Sequence, residues 1–202
     1  MSVAIRRKLY TFEEFCDLIP EGEKADLIDG VIHMASPDSI EHHDIYGWLY
    51  RLICDFLEEM RILGRLFGSR VAFRLGRRYG PEPDLGYVSP ERLDCIRSGY
   101  VIGPPDWAAE IVSPDSVERD YLRKRLLFER AGVLEYWIID PSRKTITCLR
   151  RSNSGRFKTV KITGDKLESV VIKGFWVRPS WFWQSPLPSK NKVLAQIVAG
   201  GN

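Results

Sequence analysis

The run Trp-Ala-Ala-Glu-Ile-Val at residues 107–112 constrains this chain more than any other stretch. It is apolar apart from Glu110, and a strand of that composition sits inside a sheet covered on both faces. An unpaired carboxylate is costly there. An alanine would fill the position without that cost, so Glu110 is expected to hold a cation, a metal or a proton. Ser113-Pro114-Asp115-Ser116 then gives a stop and a helix cap. The helix it opens is predicted to run to Ala131 and to end at Gly132. On a period of 3.6, Val117, Tyr121, Lys124, Phe128 and Ala131 fall on one stripe, so Lys124 is expected to point inward. A strand with an inward acid, followed directly by a helix with an inward ammonium, implies one shared site.

Composition narrows the remaining classes. A chain of 202 residues fits one domain, and its 44% hydrophobic share is ample for a packed core. No apolar run approaches the ~20 residues that cross a bilayer, which leads to the expectation of a soluble protein. The cluster Arg6-Arg7-Lys8 lacks the apolar segment that would make it a secretory signal. Cys16, Cys54, Cys95 and Cys148 are scattered with no Cys-x-x-Cys pair, as expected of free thiols in a reducing cytoplasm, and they speak against zinc held by cysteine. A net charge of +3 does not by itself establish a nucleic-acid partner, although arginines are dense over 70–78 and 119–130.

Along the chain, Thr11 with Glu14 predicts a capped helix to Leu18, broken by Pro20-Glu21-Gly22-Glu23. Residues 25–28 and 31–34 read as a hairpin across Asp29-Gly30, because that pair accepts the positive φ of a two-residue turn. Ile45, Trp48, Leu49, Leu52, Ile53, Phe56 and Leu57 follow helical spacing and predict the longest helix, over 40–60. Short strands are expected at 71–75 and 85–88, a helical turn at 90–95, and an antiparallel pair at 135–140 and 145–150. Two further strands are expected within 157–162 and 169–172. Gln184-Ser185-Pro186-Leu187-Pro188 reads as a linker, so residues 184–202 are expected to be a linker and tail, with residues 192–199 forming a short amphipathic helix or fraying.

The ordered motifs Ala25-Asp26-Leu27-Ile28-Asp29-Gly30, Pro83-Asp84, Glu110-Ile111-Val112-Ser113-Pro114, Asp120 to Lys124 and Ala131-Gly132-Val133-Leu134-Glu135-Tyr136-Trp137-Ile138-Ile139-Asp140-Pro141 look like those of the Uma-two family. That family resembles the PD-(D/E)xK nuclease superfamily, and the resemblance covers residues 11–183. It implies an α/β (α+β) restriction-endonuclease-like core, with a mixed sheet flanked by helices and an N-terminal β-hairpin, in a nuclease domain at 1–183. It also implies a metal-dependent DNA endonuclease. Asp84 and Glu110 would be the ligands of Mg²⁺, with Mn²⁺ able to substitute, and no organic cofactor is implied. Such chemistry suits two hard carboxylates.

In the superfamily's simplest form the catalytic lysine lies two residues after the acid. Here that position is Val112, so the resemblance assigns the role to Lys124. His42 and Asp26 match two further polar positions, Asp26 standing where a Glu is common. A homodimer that cuts both strands is implied by the same resemblance. On the residues alone, Asp84 also suits a turn, Glu110 an edge strand facing water, Lys124 can snorkel to solvent, and His42 and Asp26 suit an exposed helical turn and hairpin arm. Two rivals follow: a catalytically inactive nucleic-acid-binding protein of the same fold, and a structural protein in which Glu110 and Lys124 form a buried ion pair.

Overall fold

A computed structural model describes residues 8–20 and 22–200; Arg6 and Arg7 of the basic cluster, Glu21 of the break and the last two residues lie outside them. The chain opens with α1 (Phe12–Leu18), whose Thr11 and Glu14 close the expected capping box. The hairpin β1 (Ala25–Ile28) and β2 (Val31–Met34) follows, with Asp29 and Gly30 at φ 54° and 75° in its turn. α2 (Ile40–Glu59) is the longest helix among the described residues and buries the seven apolar positions that its spacing predicts.

Six strands form the central sheet: β3 (Arg65–Phe67), β5 (Leu85–Val88), β7 (Trp107–Ile111), β8 (Glu135–Asp140), β9 (Thr145–Arg151) and β10 (Phe157–Thr159). Their spatial order is β10-β9-β8-β7-β5-β3. β7 and β8 run parallel because a helical crossover joins them, while the remaining neighbours are antiparallel, so the sheet is mixed. Short strands β4 (Ala72–Arg74) and β6 (Tyr100–Ile102) pair beside it. The predicted helical turn at Pro90–Cys95 is a 3₁₀ segment.

Alternation along β7 and β8 sorts their side chains onto two faces. Trp107, Ala109, Ile111, Trp137 and Ile139 join the larger core with α2, while Ala108, Val112, Tyr136 and Ile138 pack with Phe128 of α3 (Arg125–Ala131). Glu110 lies between Ala108 and Val112 in sequence, so it shares the α3 face. After Trp183, α4 (Lys190–Ala199) lays Val193 and Ile197 into the larger core, and the Trp48 indole donates to the Pro188 carbonyl at 2.9 Å.

Two expectations need correction. The helix after β7 is not regular: Arg119–Lys124 is a π-helix, and only the following α3 is α-helical. A π-turn bonds i to i+5 and shifts the inward stripe. Val117 is therefore exposed, while Asp120 and Lys124 face inward together. Residues 169–172 are a turn and not a strand; the hairpin is made by β11 (Leu167–Glu168) with β12 (Trp176–Val177). The Ser169 hydroxyl accepts from the amides of Val171 and Ile172 at 3.2 and 3.0 Å, and so competes with a ladder for those donors.

Gly86 fixes the approach of β5 to its neighbours. A Cβ there would lie 2.6 Å from the Phe73 ring, which is fully buried and has no room to yield. Gly86→Ala is expected to cost about 1–3 kcal/mol by overpacking. Thermal unfolding followed by circular dichroism should show a melting temperature lower by roughly 2–10 °C; an unchanged value contradicts the packing described.

Candidate active site

The sheet register brings the first two acids together. Leu85 pairs with Ala109 across the β5–β7 ladder, so Asp84, one residue earlier, lies opposite Glu110. The Ile111 amide donates to Asp84 Oδ2 at 2.7 Å, and the Asp84 amide donates to Glu110 Oε2 at 3.4 Å. Both carboxylates are buried, at 2% exposure each. Asp84 is thus no solvent-facing turn residue.

Lys124 reaches this pair from the π-helix. Its Nζ lies 2.7 Å from Glu110 Oε1 and 3.0 Å from Asp26 Oδ2, and the residue is 1% exposed. It does not snorkel to solvent. Asp26 is buried as well, and its other oxygen accepts from the Glu82 amide at 2.8 Å. Arg119 Nε adds a second cation 3.4 Å from Asp26 Oδ2. Burial alone would lower the Lys124 pKa, but Asp26, Glu110, Asp120 and Asp84 outweigh it and hold it above the ordinary range. This ammonium stays charged, so it can donate hydrogen bonds and stabilise negative charge but cannot act as a base.

His42 comes from the first turn of α2, where Ser39 Oγ accepts from its amide at 3.1 Å. Its ring is buried, with Nε2 3.3 Å from Asp84 Oδ2 and Nδ1 3.4 Å from Asp38 Oδ1. Burial opposes charging, yet the hydrogen bond and charge of Asp84 raise its pKa. The structure therefore gathers Asp84, Glu110, Lys124, His42 and Asp26 into one buried cluster.

Three more ionisable groups belong to it that the sequence reading did not single out. Lys24, just before β1, pairs through Nζ with Asp84 Oδ1. Glu82 is buried and accepts from the Ala25 amide at 3.2 Å. Asp120 is buried on the π-helix, and its Oδ1 has no hydrogen-bond partner. Glu82 stood next to the quoted Pro83-Asp84, and Asp120 opened the quoted Asp120 to Lys124 segment, and those positions were the available signal. Lys24 had none beyond preceding the hairpin.

Burial raises the Glu110 pKa to about 8; Lys124 opposes the shift, and Asp84 and Asp120 add to it. Burial likewise raises Glu82 to about 7 and Asp120 to about 6. Asp84 goes the other way: burial would raise it, but Lys24 and His42 overcome this and hold it far below the usual carboxylate range.

A cavity of about 20 Å³ lies between Lys24, His42, Asp84, Glu110, Arg119 and Asp120. That is room for one water or ion. It adjoins a groove of about 630 Å³ lined by Lys24, His42, His43, Tyr46, Arg70 and Asp84, among others. Among the described residues, no three Asp, Glu, His or Cys side chains converge closely enough to form a ready-made metal cage. Mg²⁺ does not require one, since it keeps several waters and takes one or two protein carboxylates plus substrate phosphate. Asp84 and Glu110 fit that role as facing, buried, hard oxygen donors. Asp26, Glu82, Asp84, Glu110 and Asp120 outnumber the permanent cations Lys24, Arg119 and Lys124, and the raised pKa values of Glu110, Glu82 and Asp120 mean that part of this surplus is held as protons near neutrality. A divalent ion would displace such protons and compensate the carboxylates left ionised.

Comparison with known proteins agrees with this fold. A crystal structure described as that of a putative nuclease belonging to DUF820, from Anabaena variabilis, superposes with a TM-score of 0.69 at 20% identity, over 86% of this chain and 97% of that one. At that identity the likeness establishes the shared fold. No curated protein matches the chain. The family model described as "Putative restriction endonuclease" matches residues 12–180, nearly the whole chain, and the protein belongs to that family, Uma2.

Proposed function

We propose that the protein is a metal-dependent endonuclease that hydrolyses phosphodiester bonds in DNA at the Asp84, Glu110 and Lys124 cluster. The observation that carries this reading is the facing pair of buried carboxylates with a permanently charged lysine 2.7 Å from one of them, beside an open groove. Perturbed, desolvated titratable groups at the end of a groove are characteristic of catalytic sites. A divalent ion held by Asp84 and Glu110 would supply charge neutralisation at the scissile phosphate and a more acidic attacking water.

The chain's own residues do the rest. Lys124 presents an ammonium that stabilises negative charge developing on the phosphate oxygens. Asp26 acts through Lys124, holding its ammonium from the hairpin side at 3.0 Å, and is a positioning residue. His42 orients Asp84 from α2. Arg70 and His43 in the groove offer positive charge and hydrogen bonds to the flanking backbone. Cutting both strands needs two such sites, which favours a homodimer. A protein of this fold that binds nucleic acid without cutting it would keep the groove's arginine but gain nothing from the surplus of buried acids in the cluster.

Cleavage of supercoiled plasmid should require Mg²⁺ or Mn²⁺, cease on chelation, and disappear in Glu110→Gln, whose melting temperature should stay near that of the parent. Undiminished cleavage by that variant refutes the assignment. Lys124→Met removes the cation at the centre of a buried charge cluster. It is expected to lose both activity and about 3–5 kcal/mol of stability, read by chemical denaturation. A loss below ~1 kcal/mol would mean that Lys124 does not compensate these acids.

A further inference from the structure

Asp84 is held unequally on its two oxygens. Oδ2 receives the Ile111 amide at 2.7 Å and His42 at 3.3 Å, both fixed by β7 and α2. Oδ1 receives Lys24, whose ammonium rides on a flexible four-carbon stem that follows Gly22 at φ 90°. Lys24 lines both the small cavity and the large groove, so it stands at the boundary between them. Its side chain is 17% exposed against 1% for Lys124, and it has a way out into the groove that Lys124 lacks. One lysine is locked between two acids on separate elements, and the other caps a single oxygen at the cavity mouth.

We propose that Lys24 is an exchangeable cation: its ammonium holds Asp84 Oδ1 in the resting protein, yields that oxygen to a divalent ion, and turns into the groove to bind a phosphate of the nucleic-acid backbone. The phosphate half rests on the nuclease reading above, whereas the exchange at Asp84 does not. Lys24 balances Asp84 when no divalent ion is bound, and its displacement ties metal binding to the appearance of a free positive charge next to Arg70 and His43. A lysine that stayed on Asp84 would also oppose the ion by repulsion, but its removal would leave DNA affinity and its salt dependence unchanged.

Mn²⁺ titration, followed by the electron paramagnetic resonance signal of the free ion, tests the exchange in the full chain. Lys24→Met should bind Mn²⁺ about tenfold more tightly than the parent, and Asp84→Asn should lose that site. Lys24→Gln serves as a second neutral replacement, with circular dichroism establishing that each variant is folded. In Ca²⁺, the same Lys24 variants should bind a short DNA duplex more weakly, with a salt dependence reduced by about one phosphate contact. Mn²⁺ affinity that is unchanged or lower in both Lys24 variants overturns the proposal, as does an absence of Mn²⁺ binding in parent and variants alike. If the parent cuts no DNA while the variants still bind Mn²⁺ more tightly, the exchange stands and the nuclease reading falls. If the parent cuts DNA but Mn²⁺ affinity does not respond to Lys24, the reverse holds.

Discussion

A single buried ammonium ties the site together. Lys124 of the π-helix lies between Glu110 of the central sheet and Asp26 of the N-terminal hairpin, at 2.7 and 3.0 Å. Three separate elements, two consecutive and one from the start of the chain, thus meet at one charge. Removing a lysine and its acids from water is expensive, and the attraction between them repays this only where geometry and further hydrogen bonds are good. Here the surrounding donors are in place: the Ile111 amide on Asp84, the Glu82 amide on Asp26, and Arg119 beside it. A well-packed apolar cluster would be at least as stable, so stability alone does not explain the retention of nine permanently or potentially charged side chains, Asp26, Glu82, Asp84, Glu110, Asp120, Lys24, Arg119, Lys124 and His42.

The backbone is shaped around that cluster. Tight helical winding after β7 would leave Asp120 at the edge of the inward stripe; the π-turn over Arg119–Lys124 brings Asp120 and Lys124 inward together. π-turns carry a cost in backbone geometry and recur at functional sites. The Tyr136 hydroxyl donates to the Asp120 carbonyl at 3.1 Å, so β8 braces the irregular turn from the sheet side. The antiparallel register of β5 and β7, in turn, makes the Asp84–Glu110 juxtaposition a matter of ladder geometry rather than of side-chain reach.

Much of this was legible in the sequence because periodicity reports burial. The apolar stripe of α2, the Asp29-Gly30 turn and the buried strands β7 and β8 each leave a pattern of their own. Glu110 stood out as the one polar residue in such a strand, and Lys124 as the one ammonium on such a stripe. The 3.6-residue template failed where the backbone departs from it, placing Val117 inside and passing over Asp120. The turn at 169–172 was misread for a related reason: a short β-branched run looks like a strand until Ser169 takes its amides. Lys24 and Glu82 lie in loops, where no period exists, and their burial depends on contacts 60 and 57 residues away in the chain.

The charge pattern bears on the choice between the proposed catalytic site and a structural ion pair. A pair selected for stability tends toward neutrality, one acid for each base, because any excess stays desolvated and unpaired. This cluster keeps an acid excess instead. Burial raises Glu110, Glu82 and Asp120, so the fold holds these groups against their preference for water. Asp120, whose Oδ1 has no hydrogen-bond partner, also lines the cavity the size of one ion. A surplus of buried carboxyl groups, hard oxygen donors and an adjoining groove with Arg70 at its wall are together what the proposed phosphodiester chemistry with a divalent ion would ask of a protein, and what packing alone would not retain.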